Sequence, residues 1–109
     1  MYASGLGLEV LATFQDHDGF DGVVLGHAGQ PYQLEFTCQP GKPAEGSASP
    51  EHLLVFYLAD SEWLERCAAM TDAGFRAVPS ANPFWEACGT TYEDLDSYRV
   101  VLVRVMRED

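Results

Sequence analysis

Positive charge is scarce in this 109-residue chain, with six Lys and Arg against 17 Asp and Glu and a formal net charge of −11. Such a balance repels a phosphate backbone or an anionic membrane surface and gives no counterion release, so it argues against nucleic acid and membranes as partners. Cysteine is also rare. Cys38, Cys67 and Cys88 form an odd set without CxxC spacing, which argues against a disulfide framework and a structural zinc site and fits a reducing cytoplasm. No apolar run approaches membrane-spanning length, and no charged-then-apolar leader opens the chain, so a soluble cytoplasmic protein is expected. No Ser or Cys lies in a nucleophile-elbow motif, so no catalytic triad is recognisable. What is present is apolar: 47% hydrophobic and 12% aromatic residues against 21% charged. That is enough apolar surface to offset the entropy of folding one domain, residues 1–109, and the chain is too short for two independent cores.

Apolar and partly β-branched runs at residues 8–14, 20–26 and 32–38 read as strands, with turns at Gln15 to Gly19 and His27 to Pro31. Residues 39–50, rich in Gly, Pro, Ser and Ala, form a linker. Beyond it, residues 53–58 predict a strand and residues 60–71 the one substantial helix. In that helix Trp63, Leu64, Cys67, Ala68 and Thr71 recur at helical spacing, Asp60 stands where its side chain could cap the start, and Gly74 where a left-handed residue could stop the end. Strand-like pieces follow at 76–78, 90–93 and 98–104, with a turn at Asp94 to Ser97. The expected fold class is therefore α+β, with the second half ordered βαβββ.

An internal repeat supports the same organisation. Gly7-Leu8-Glu9-Val10-Leu11 falls on Gly74-Phe75-Arg76-Ala77-Val78 at a shift of 67 positions, and Tyr32-Gln33-Leu34-Glu35-Phe36 on Tyr98-Arg99-Val100-Val101-Leu102 at a shift of 66. Module one then spans 1–38 and module two 51–109. At the same offset, the counterpart of strand 53–58 falls before residue 1, so module one is expected to lack its opening strand and most of its helix, either naturally or through a misassigned start codon.

Several segments are similar to the vicinal-oxygen-chelate superfamily, which includes glyoxalases, bleomycin-resistance proteins and dioxygenases: Gly5 to Val10 at a helix exit, Tyr32 to Phe36 as a fourth strand, Leu53 to Asp60 as a fifth, Asp94 to Arg99 before the last strand, and Asn82-Pro83-Phe84-Trp85. The resemblance implies two βαβββ modules and a small-molecule cleft, a bacterial-type protein, and a homodimer, since loss of the opening strand leaves the edge of 32–38 unpaired. It also implies ligand positions for a divalent metal on the first, fourth, fifth and eighth strands. Glu35 matches the fourth, but Leu53 and Val101 stand at the fifth and eighth. His52, one residue before the matching position, would point to the opposite face unless a bulge re-aimed it. The expectation is a binding protein that needs no cofactor. The alternative is a metal-dependent lyase or related enzyme, with Glu35 and His52 as ligands and a second chain completing the site.

Candidate ligand-binding residues are Gln33, Glu35 and Thr37 on one face of the fourth strand, and Tyr57, Trp85, Tyr92 and Arg99 in module two. A carboxylate buried in an apolar strand needs a partner, and by the repeat Arg99 could meet Glu35. His17 and His27 read as turn residues, and the three cysteines as packing residues.

Overall fold

The computed structural model describes residues 1–42 and 46–105. Linker residues 43–45, and residues 106–109 at the end of module two, lie outside the described residues. The elements run α1 (Tyr2–Leu6), β1 (Glu9–His17), β2 (Phe20–Gly26), β3 (Gln33–Cys38), β4 (Leu53–Ala59), α2 (Asp60–Asp72), β5 (Arg76–Val78), α3 (Pro83–Cys88), β6 (Gly89–Glu93) and β7 (Arg99–Val105). The fold is α+β, and α2 is its one substantial helix. The chain divides into two compact units, Met1–Gly7 with Ser47–Asp109, and Leu8–Gly46.

In the larger unit the sheet order is β4-β7-β6-β5, with β4 parallel to β7 and the other pairs antiparallel. This is a βαβββ module whose parallel pair is joined by way of α2. Helix α2 begins after Ala59 with no side-chain cap. Asp60 is already helical, and its carboxylate pairs with Arg104 instead of capping; with Glu62 it places negative charge in the first turn, where the helix dipole favours it. The other end is a Schellman motif: Gly74 at φ +100° donates its N–H to the Thr71 carbonyl and Phe75 donates to Met70, each at 3.1 Å. That turn returns Phe75 to the core beside Met70, Tyr92, Val100 and Leu102, with Trp63 and Cys67 packed against the cluster. The Trp63 indole N–H donates to the Leu102 carbonyl at 2.9 Å, and the Arg104 guanidinium lies over its ring at 5.5 Å. Helix α1 joins this unit: Tyr2 packs edge-on to Phe75 and donates its hydroxyl to Asp94 Oδ2 at 2.6 Å.

The smaller unit is an antiparallel sheet ordered β1-β2-β3. The first strand runs further than the sequence suggests, to His17, because the ladder shifts register between Phe14 and His17 and absorbs Asp16 at φ 49°; Asp16 N–H is satisfied by Asp21 Oδ1 at 2.9 Å. Comparing the two sheets, β1, β2 and β3 occupy the places of β5, β6 and β7. Among the described residues nothing takes the place of β4, and the five-residue α1 belongs to the larger unit.

Candidate functional site

Strand alternation gives the four-stranded sheet two faces. Leu54, Phe56, Tyr92, Val100 and Leu102 face α2. On the face away from α2, register lays out three rows across the strands: Leu53, Arg99, Glu93 and Arg76; then Val55, Val101, Thr91 and Val78; then Tyr57, Val103 and Gly89, with Val101, Thr91 and Val103 buried. The first row is ionic. Glu93 Oε1 accepts from Arg76 Nη2 at 2.6 Å, Glu93 Oε2 accepts from Arg99 Nε at 3.0 Å, and Arg99 Nη1 donates to the Pro79 carbonyl at 3.4 Å. Glu93 and Arg99 are largely buried, with side chains 12% and 13% exposed, whereas Arg76 is 75% exposed. The Arg76 hydrogen bond, followed by that of Arg99, holds the Glu93 carboxyl below the usual carboxylate range against the opposing effect of burial. In the second row the Thr91 hydroxyl is shared with Ser80, whose N–H is taken by Glu86.

Helix α3 borders this region and packs against β6 and β7. Asn82 caps it by accepting from Phe84 N–H at 3.0 Å, and Pro83 fills the first helical position, where no N–H is required. A cavity of about 480 Å³ lies here, lined by Pro50, Glu51, Leu53, Asn82, Pro83 and Trp85 among others, within the roughly 300–1,000 Å³ usual for small-molecule sites. In the smaller unit, Gln33, Glu35 and Thr37 share one face of β3 opposite Gly26, Val24 and Gly22. All three are exposed. Thr37 also lines a more open cleft of about 730 Å³ with Thr13, Phe14, Asp21, Phe36 and Cys38.

Of the residues singled out in module two, Tyr57 and Arg99 lie on the face away from α2, Tyr57 being 63% exposed, and Trp85 lines the cavity. Tyr92 does not share that face. It is 3% exposed under α2, with its hydroxyl donating to the Cys67 carbonyl at 3.4 Å, and burial first, then the neighbouring Cys67 thiol, raises its pKa. The alternation that sets Thr91 and Glu93 on the other face turns Tyr92 toward the helix. Glu35 is exposed, so the burial that called for a cationic partner is not there; Arg99 finds its carboxylate in Glu93 within its own unit. The sequence reading missed Glu93 and Arg76, although Glu93 and Arg99 flank the turn at Asp94 and a hairpin closing there must set them opposite. His52 is exposed just before β4, with its N–H donating to the Ser49 carbonyl at 2.9 Å. His17 and His27 are exposed, Cys67 packs on the core, Cys88 is half-buried, and Cys38 is exposed rather than packed.

The fold raises the question of a divalent metal, and the side chains answer it on chemistry. Leu53 and Val101 cannot coordinate a cation, and among the described residues no three His, Cys, Asp or Glu side chains gather into a ligand set. The described residues of this chain do not by themselves fit a metal centre. No helix among them is long and apolar enough to cross a membrane.

Sequence comparison matches residues 1–37 to the YycE-like N-terminal domain and residues 51–104 to the YycE-like C-terminal domain. The uncharacterized protein YycE of Bacillus subtilis is 36% identical over 103 residues, 94% of this chain and 74% of that protein. A crystal structure of a YycE protein of unknown function from Bacillus subtilis superposes with a TM-score of 0.85 at 34% identity, covering 99% of this chain and 80% of that one. At lower identity, where the likeness shows the fold alone, Leishmania major glyoxalase I gives a TM-score of 0.68 at 19%, covering 94% and 73% of the two chains. TnmS3, an antibiotic binding protein from Streptomyces, gives 0.62 at 18%, covering 96% and 81%.

Proposed function

The chain belongs to the YycE-like family of the glyoxalase and bleomycin-resistance superfamily, and from that premise we propose that it binds a small molecule in the cavity beside α3 and the start of β4, without a metal of its own. One observation carries the reading: Leu53, an aliphatic residue at a position where metal-dependent members of the superfamily hold a ligand, instead lines a cavity with Trp85 and Pro83. An apolar wall with an indole suits a planar or aliphatic body, which it shields from water. Tyr57 and Arg99 offer polar contacts on the face of the four-stranded sheet that Leu53 shares, and Gln33, Glu35 and Thr37 are the polar contacts we assign to the smaller unit. TnmS3, with the same fold, is an antibiotic binding protein, which supports binding as a function in its own right. A thermal-shift screen of the metal-free protein against small organic molecules tests the reading, because a ligand of the native state raises the melting temperature. At least one reproducible, saturable rise is expected; a flat screen at millimolar ligand counts against it.

A second reading keeps a metal-dependent lyase or related enzyme whose site a second chain completes, with Glu35 and His52, each exposed in its own unit, as candidate ligands. Stoichiometric nickel, zinc, iron or manganese in protein purified without chelator would put this reading first. A homodimer in the cytoplasm belongs to the proposal under either reading. It is supported by the outer edge of β3, which carries no strand among the described residues where β7 carries β4, and by three cysteines without disulfides. Light scattering should return twice the chain mass; a monodisperse monomer at micromolar concentration contradicts it.

A further inference from the structure

The cavity beside α3 has an apolar wall and one charge. Leu53, Ala81 and two prolines make the wall, Trp85 adds an indole, and Glu51 is the single charged residue that lines it. Glu51 is exposed, and its N–H donates to Ser49 Oγ at 3.2 Å, but among the described residues its carboxylate has neither a hydrogen bond nor an ion pair. The half-buried Trp85 meets Phe84 edge-on at 4.9 Å. No described cation lies over its ring, whereas Trp63 in the same unit is already covered by Arg104. The Asn82 side-chain carbonyl is committed to Phe84 N–H. Arg99, the neighbour of Leu53 across the parallel ladder, is engaged by Glu93 and the Pro79 carbonyl and does not line the cavity. Glu86, next to Trp85 on α3, adds a further negative charge, held on Ser80 N–H.

The geometry points to a ligand class: a small organic cation, a protonated amine whose aromatic or aliphatic body packs against Leu53, Pro50 and Pro83 and whose ammonium is received by Glu51 and the face of Trp85. Indole is the strongest of the aromatic partners for a cation. An exposed carboxylate gains little from an ion pair on its own, because water screens it; here the same ligand charge also meets an indole, and the ligand body displaces water from an apolar wall. The field of the chain acts in the same direction, since a formal net charge of −11 concentrates cations and repels acids. This assignment rests on the small-molecule reading above and narrows it.

The test titrates two probes of one shape into the full chain by calorimetry: 2-naphthylmethylamine, an ammonium ion at neutral pH, and the neutral 2-naphthylmethanol. The amine should bind at least about tenfold more tightly than the alcohol. Glu51→Gln should remove most of that preference and leave the affinity for the alcohol unchanged. Glu65→Gln, an exposed substitution on α2 that alters the net charge by the same amount, should keep the preference, which separates Glu51 from the field of the whole chain. Trp85→Ala should weaken both probes, the amine more, with the far-ultraviolet dichroism of the folded protein retained. Equal affinity for the two probes, or a preference that survives Glu51→Gln, overturns the cation assignment and leaves the cavity reading standing. Binding of neither probe at millimolar concentration also overturns the assignment, and a flat thermal-shift screen beside it takes the cavity reading down as well.

Discussion

The two sheets are built on one plan, yet their interiors differ. In the four-stranded unit Met70, Val100, Val101 and Leu102 are fully buried, whereas among the described residues of the three-stranded unit burial reaches only Val24, Leu25 and Gly26, and Val10, Leu11, Phe20, Tyr32 and Phe36 are exposed. In the four-stranded unit α2 and α3 pack against β7, and β4 takes its edge; among the described residues of the three-stranded sheet no strand takes the corresponding edge of β3, and the same alternating pattern leaves those apolar side chains exposed. Identical local patterning therefore gives a core in one module and a surface in the other, and the ionic row sits in the module that can bury it.

The largest expected effect separates the modules by stability. Leu102→Ala removes a fully buried side chain from the core and should cost about 2–5 kcal/mol, whereas Phe36→Ala in the other sheet should cost less, about 1–2 kcal/mol, because Phe36 is 37% exposed. Urea unfolding measures both, and equal costs would break the comparison. Next comes Gly89→Ala. A Cβ there would stand 2.5 Å from the Leu102 carbonyl oxygen and 3.2 Å from Val103 Cα, backbone atoms that cannot swing aside, so a loss of about 1–3 kcal/mol is expected in thermal unfolding.

A third effect depends on pH. The folded Glu93 carboxyl lies below its ordinary value of 4.5, so its contribution to stability is complete above that value and disappears as the pH falls through the lower folded one. Glu93→Gln should therefore be less stable than wild type at pH 7, and the two should converge as the pH drops below about 4. A gap that persists at pH 2 would show that the carboxylate charge is not what matters. The smallest effect belongs to His52. Exposed and off the strand, its replacement by Ala should change stability by no more than about 0.5 kcal/mol and leave ligand binding unchanged; loss of binding would favour the metal reading.

Much of this was legible in the sequence because it rests on local periodicity. The helix at Asp60, its stop at Gly74 and the strands at Phe20 and Leu53 all follow from spacing and turn chemistry. The parts that were not legible depend on facing partners. Asp60 reads as a cap until Arg104, on β7, is seen to take its carboxylate. Tyr92 reads as a pocket residue until the register assigns its face, and Glu35 reads as buried because its strand is apolar, whereas it is exposed on a strand that lies at a sheet edge among the described residues. Helix α3 is too short for periodicity to reveal, and only the Asn-Pro pair at 82–83 marks its start.

The central claim is ligand binding in the cavity beside α3 without metal, and the most direct test is the ligand-induced rise in melting temperature measured before and after exhaustive dialysis against EDTA. The account predicts the same rise in both samples for wild type and its loss in Trp85→Ala. A rise that disappears with EDTA and returns with nickel, zinc or manganese would contradict it.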